Sequence, residues 1–123
     1  MGVVDPMSSE DALYDYCRGL PAVTEDIKWG HDLVFSVGGK MFAGFQQPKG
    51  HPFGFKVDPA VFDAMTSRKG ITPAPYAARF HWVSVATLST LSLKESKALL
   101  AESHRLVAEK LPKKFRARLG LAE

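Results

Sequence analysis

Two adjacent glycines between two apolar runs constrain the fold of this chain more than any other feature of its sequence. The runs cover residues 33–37 and 40–46, and Gly38-Gly39 lies between them. Glycine readily adopts the positive φ angles that a tight two-residue turn requires. The pattern therefore predicts an antiparallel β-hairpin over residues 33–46.

A two-residue turn also sets which side chains face each other across this hairpin. Phe35 then lies opposite Phe42, and Val37 lies opposite Lys40. Both faces carry apolar side chains: Leu33, Phe35, Val37 and Phe42 on one, and Val34, Met41, Ala43 and Phe45 on the other. Helices need to cover only one face, and periodicity does not select which. An uncovered apolar face would be a contact surface, so a protein-interaction domain is one candidate function.

Signals elsewhere in the chain predict an α+β fold. Helices are expected over residues 10–18, 59–66 and between Ser92 and Pro112, and further strands over residues 23–28, 53–57 and 80–85. Short loops and hairpin connections favour a mainly antiparallel sheet with the helices packed on one face. Leu13, Tyr16, Cys17 and Leu20 form the apolar face of the first helix, where Cys17 is expected to be a buried structural thiol.

Length and composition predict one soluble domain over residues 1–123, with residues 1–7 flexible. The single cysteine excludes an internal disulfide. No apolar run approaches the roughly 20 residues that cross a bilayer, and residues 1–7 lack the basic residue of a targeting signal. We expect a cytoplasmic monomer that does not associate with membranes.

The net charge of +3 is divided unevenly along the chain. Residues 1–26 contain six acids and one base, whereas residues 27–123 contain fifteen bases and seven acids. The densest basic stretch holds Lys110, Lys113, Lys114, Arg116 and Arg118. Such an asymmetry can create a positive surface that attracts polyanions, although cations near a helix C-terminus are also favoured by the helix dipole alone.

No set of residues has the sequence spacing of a catalytic or metal site. The four histidines lack zinc-ligand spacing, and Gly38-Gly39-Lys40 lacks the spacing and the following helix of a phosphate-binding loop. A metal site could form only if the fold brought His31 and His81 together with Asp26 or Asp32. We therefore expect a non-enzymatic protein with no catalytic residues, no cofactor and no metal.

Two tryptophans and their neighbours are the most distinctive side chains of the sequence. A pocket for a small molecule would be lined by Trp29, His31, Tyr76, His81 and Trp82. The two tryptophan segments could instead form an aromatic platform for nucleic-acid bases, with Lys40, Lys56 and Arg79 around it. A third interpretation places both indoles in the core.

Two stretches of the chain resemble a known family. The first comprises Glu25-Asp26, Trp29-Gly30 and residues 34–42, and the second comprises Pro73-Ala74-Pro75-Tyr76 followed by His81-Trp82-Val83. With Lys56-Val57-Asp58-Pro59 and Lys110-Leu111-Pro112-Lys113-Lys114, these motifs resemble the MmcQ/YjbR family over about residues 10–118.

This resemblance implies an α+β domain of the α-β₃-α-β₂-α kind, similar to the double-wing domain of a phage transcription factor, and the description DNA-binding protein. Together with the positive charge, it implies phosphate contacts without sequence specificity, for which the candidates are Lys40, Lys56, Arg79, Lys113, Lys114, Arg116 and Arg118. One family member belongs to a mitomycin gene cluster, so a drug-like ligand is an alternative. The chain departs from the family at Ala77-Ala78-Arg79, where many members have Asn and Lys.

Overall fold

Six strands and four α-helices make up the described part of the protein, which is residues 9–50 and 52–121 of a computed structural model. The prediction of a flexible segment over residues 1–7 lies outside these residues. The helices are α1 (Ser9–Arg18), α2 (Pro59–Thr66), α3 (Leu93–Ala108) and α4 (Lys113–Arg118). The strands are β1 (Val23–Lys28), β2 (Asp32–Val37), β3 (Lys40–Gln46), β4 (Phe53–Lys56), β5 (Ile71–Pro73) and β6 (Trp82–Val85).

All six strands form one antiparallel sheet in the order β1-β2-β3-β4-β6-β5. The α+β class predicted from the sequence is therefore confirmed. Four strands precede α2, one more than in the order that the family resemblance implies. After α2, strand β5 lies in a segment predicted as a loop, because three residues that end in a proline give no strand pattern in the sequence.

The hairpin of β2 and β3 contains a β-bulge that changes the predicted register. Val37 pairs with Lys40 as predicted, but Phe35 pairs with Ala43 rather than with Phe42. A bulge places two residues of one strand opposite one residue of its partner. The prediction that Phe35 faces Phe42 is therefore wrong by one residue.

The bulge also redistributes the apolar side chains between the two faces of the hairpin. Ala43 and Phe45 join the core together with Phe42, although strict alternation predicted them on the opposite face. Val34 and Met41 remain on the outer face of the sheet, away from the core cluster. The outer face of the hairpin is thus less apolar than the sequence indicated.

Helices α1 and α3 pack together, and α3 lies across β2, β3 and β4 on the inner face of the sheet. Between the layers, Phe35, Phe42, Phe45 and Phe55 are fully buried. Cys17 is fully buried with them, as predicted, and this burial raises the pKa of its thiol to about 12.

The buried tyrosine of α1 is Tyr14, whereas the sequence pattern placed Tyr16 on the apolar face. The Tyr14 ring packs edge-on against Phe45, and its hydroxyl donates a hydrogen bond to the buried Glu10 carboxylate. Gln47 donates to the same hydroxyl at 2.9 Å. A polar network at this position explains why hydrophobic spacing alone did not identify Tyr14. Within the described residues, no helix is long and apolar enough to cross a membrane.

Candidate functional site

A groove of about 680 Å³ opens at the end of the sheet where β3 begins, β4 ends and β6 begins. Val107 at the C-terminal end of α3 and Leu111 just after it form one wall, and the segment before β6 forms the other. We call it the basic groove and define it by three lysines and three aromatic residues that line it: Lys40, Lys56, Lys110, Tyr76, Phe80 and Trp82. Its volume lies in the range of about 300–1,000 Å³ that is typical of ligand sites.

The three lysines of the basic groove have no carboxylate partners among the described residues. The Lys56 ammonium group donates a hydrogen bond to the backbone oxygen of Phe80 at 2.6 Å. Partial burial lowers the pKa of Lys56, and the nearby positive charge of Lys110 lowers that pKa further. Three lysines without described carboxylate partners give the groove a positive character that favours an anion.

The aromatic residues of the groove are presented on an irregular segment that precedes β6. Tyr76 is fully exposed and has φ 65°, a left-handed conformation that bulky residues rarely adopt. Phe80 ends a short 3₁₀ helix (Ala78–Phe80) and is half exposed. Trp82 is partly buried at the start of β6. Three rings therefore border a space that also contains three cations.

Ser103 of α3 explains why the two strands separate at the groove. Its hydroxyl accepts a hydrogen bond from the Lys56 backbone N–H at 2.9 Å and donates one to the Phe42 carbonyl at 2.6 Å. The pairing of β3 with β4 ends next to this position, at Ala43 and Phe55. Ser103 thus replaces direct pairing between β3 and β4 at this position, while Lys56 stays paired with Trp82 of β6 at the edge of the groove.

Gly38 allows the hairpin to approach the end of α3 closely enough to bring two of the lysines together. A β-carbon added at Gly38 would lie 2.6 Å from a methyl carbon of Leu111. Gly38 also has φ 59°, which strains any L side chain. Because Leu111 packs on this turn, Lys110 lines the same groove as Lys40.

A family model described as YjbR matches residues 18–106. The chain belongs to the YjbR family. The match includes Lys40, Lys56 and all three aromatic residues of the basic groove, but ends before Lys110.

Solved structures show that the YjbR fold extends over almost the whole chain. The crystal structure of the Deinococcus radiodurans protein DR2400, described by the family-model domain DUF419, is 30% identical with a TM-score of 0.81. That match covers 98% of this chain and 94% of the other. A Pseudomonas syringae protein is 22% identical with a TM-score of 0.64, over 82% of this chain and 99% of the other. A search of curated proteins finds no match.

The phosphate-contact candidates of this YjbR protein occupy two separate regions. Lys40 and Lys56 line the basic groove, and Arg79 lies beside it with its guanidinium carbon 4.8 Å from the centre of the Phe80 ring. The other four candidates, Lys113, Lys114, Arg116 and Arg118, belong to α4. Arg116 lines a different cavity, which it shares with Pro21 and His104.

The residues of the predicted small-molecule pocket are also divided. Tyr76 and Trp82 line the basic groove, and Trp29 and Trp82 line a smaller depression beside it. His31 lies within 2.7 Å of the Asp32 carboxylate, whereas the ring of His81 packs edge-on against Phe62 of α2. Within the described residues, no cluster of three or more histidine, cysteine or acidic side chains could hold a metal.

Lys110 and Phe80 are lining residues that sequence reasoning did not place in a site. Lys110 appeared only as part of the basic stretch, and Phe80 only as the start of a strand. Helix α3 and the segment before β6 approach each other through the tertiary fold, so no local sequence pattern predicts that these two residues line one groove.

Proposed function

We propose that this YjbR-family protein is a non-enzymatic domain that binds DNA without sequence specificity through the basic groove. The observation that supports the proposal is the meeting of Lys40, Lys56 and Lys110 with exposed aromatic rings in one groove. Lysine ammonium groups bind phosphates as point charges, and aromatic rings stack on bases of any sequence. Both contacts give affinity rather than base discrimination.

The apolar surroundings of the groove lysines support a role in binding. These lysines lie against apolar side chains such as Met41, Val107 and Leu111. Ammonium groups set among apolar side chains can hold an anion in place by charge alone. This lining supports a binding module.

A charge reversal tests the proposal. The binding of a fluorescein-labelled DNA dodecamer is measured by fluorescence anisotropy at about 50 mM salt, as a single strand and as a duplex. Lys110→Glu should weaken whichever complex forms by at least about tenfold, because it places a negative charge beside the bound phosphates.

Lys94→Glu is the matched control, since it makes the same change in net charge at the opposite end of α3. From Lys94 to the end of α3 at Ala108 the helix spans about 21 Å, and Lys110 lies beyond that end. The control should change the affinity less than about twofold, because surface charges at this distance are screened. Absence of DNA binding in the unmodified protein, or equal effects of the two reversals, would contradict the proposal.

The apolar lining of the groove supports a second candidate function, the binding of a small aromatic anion. A volume of about 680 Å³ accommodates such a molecule. A naphthalene sulfonate titrated against the tryptophan fluorescence tests this function. The small molecule would be favoured by two results together: the unmodified protein does not bind the DNA dodecamer, and Lys110→Glu abolishes the quenching by the naphthalene sulfonate.

A further inference from the structure

The outer face of the sheet has a shallow depression that continues the basic groove. Val34, Gly44, Gly54 and Ser84 lie side by side on four neighbouring strands. The two central residues have no side chains, which leaves a space of about 160 Å³ above them. We call this space the glycine trough. The basic groove and the trough share Met41, Ala77 and Trp82 in their linings, so they form one continuous surface.

The chemistry of the glycine trough differs from that of the basic groove. Trp29 and Trp82 both line it, and Trp29 is 65% exposed. Among the described residues, its polar lining consists of Asp32, Gln46 and Ser84, with no lysine or arginine. The Asp32 carboxylate would repel a phosphate, but it can accept hydrogen bonds from a neutral ring that carries N–H groups.

The size of the trough limits what can enter it. A volume of about 160 Å³ equals that of about five water molecules, which suits one flat heterocycle. A base inside a duplex is stacked on both sides and paired at its edge, so it cannot enter such a space without leaving the helix. An unpaired base can stack on an aromatic side chain while its phosphates lie in an adjacent basic channel.

We propose that the glycine trough is a subsite for one unpaired nucleobase whose flanking phosphates lie in the basic groove. The protein would then prefer single-stranded over duplex nucleic acid. This inference rests on the proposed function, because it assumes that the lysines of the groove bind phosphates. It adds the strand state of the ligand and assigns Trp29 and Gly44 to its recognition.

Gly44 provides a variant that fills the trough with little disturbance of the fold. A β-carbon added there meets no atom within 4 Å, and Gly44 has no left-handed φ angle. Valine is well suited to a strand, so Gly44→Val should fold while its methyl groups occupy the space of the base. Thr24→Val is the matched control: it places the same side chain on β1, outside the trough lining.

Anisotropy titrations with a labelled oligo-dC dodecamer and a duplex dodecamer test the inference, with circular dichroism as the check on folding. The unmodified protein should bind the single strand at least about tenfold more tightly than the duplex. Gly44→Val should lower the single-strand affinity about tenfold and leave duplex binding unchanged. Thr24→Val should change neither affinity.

An abasic dodecamer gives a second measurement that needs no variant. It retains the phosphates but lacks the bases, so the unmodified protein should bind it about tenfold more weakly than oligo-dC. Equal affinity for the abasic and oligo-dC strands, or for duplex and single strand, would overturn the base subsite while leaving DNA binding in place. Failure to bind any of these probes would overturn the subsite and the proposed function together.

Discussion

Trp29 and Tyr76 are exposed aromatic residues whose backbones lie in the left-handed region, with φ 54° and 65°. This conformation costs an L residue about 1–2 kcal/mol. The Tyr76 side chain is fully exposed, so burial does not offset that cost. Residues held in unfavourable conformations at a surface cleft are more consistent with ligand contact than with a contribution to folding.

Substitutions at Tyr76 should separate stability from binding. Tyr76→Gly should be about 1 kcal/mol more stable than Tyr76→Ala, because only glycine occupies this φ without strain. Both variants should lose DNA affinity to the same extent, since each removes the ring. Urea unfolding and anisotropy titration measure the two effects. Equal stabilities of the two variants, or DNA binding like that of the unmodified protein, would contradict the role given to Tyr76.

Helix α3 and the strands beneath it are held together by a polar contact as well as by apolar packing. Ser103 is fully buried and bridges Phe42 of β3 to Lys56 of β4. Ser96 is also buried on α3, but its hydroxyl has no hydrogen-bond partner among the described residues. The same residue type therefore has different energetic consequences at two positions of one helix.

Replacing each serine by alanine should reveal this difference. Ser103→Ala leaves a backbone N–H and a carbonyl group without their partner, so we expect a loss of about 2–3 kcal/mol in unfolding free energy. Ser96→Ala should be neutral or slightly stabilising, because it removes an unpaired buried hydroxyl. Chemical denaturation of both variants measures the two values. Equal losses would contradict the bridging role of Ser103.

Elements with strong local signals could be predicted from the sequence, whereas features set by tertiary contacts could not. These signals involve neighbouring residues only. Ser92 caps α3, and α2 begins at Pro59 after the Asp58 cap. The Gly38-Gly39 turn joins the paired strands β2 and β3. The bulge opposite Phe35 involves no proline and no positive-φ glycine within the strand, so alternation alone gave the wrong register. The hydrogen bonds of Ser103 could not be predicted, because its two partners, Lys56 and Phe42, lie far away in the sequence.

The charge distribution of the whole molecule leaves the basic groove as a concentrated positive site. Arg18 pairs with Asp15 and Glu25, Arg68 with Glu95, and Arg105 with Glu102 and Glu109. These exposed pairs neutralise bases on α1, α3 and the segment after α2. The groove lysines have no carboxylate partner among the described residues, so no ion pair offsets their charge. The sequence gives the total charge, but only the fold determines which bases remain unpaired.

The salt dependence of DNA binding should show how many of these three lysines contact phosphates. Each phosphate contact with a single strand contributes about −0.7 to the slope of log affinity against log salt concentration, so three contacts predict a slope of about −2. Affinity should then fall about twentyfold between 50 and 200 mM salt. Lys110→Ala should reduce the slope to about −1.4, while Lys94→Ala should leave it unchanged. A slope near zero, or one that Lys110→Ala does not alter, would show that the groove does not bind phosphates.

The most direct test of the account is an NMR titration of the ¹⁵N-labelled protein with unlabelled oligo-dC dodecamer, because it locates the bound ligand residue by residue. The backbone amide signals of Lys40, Lys56, Tyr76, Trp82 and Lys110 should shift most, together with the indole N–H signals of both tryptophans. The signals of β1 and the first turn of α3 should stay in place. Shifts confined to α4, or distributed over the surface without a maximum at the basic groove, would contradict the account.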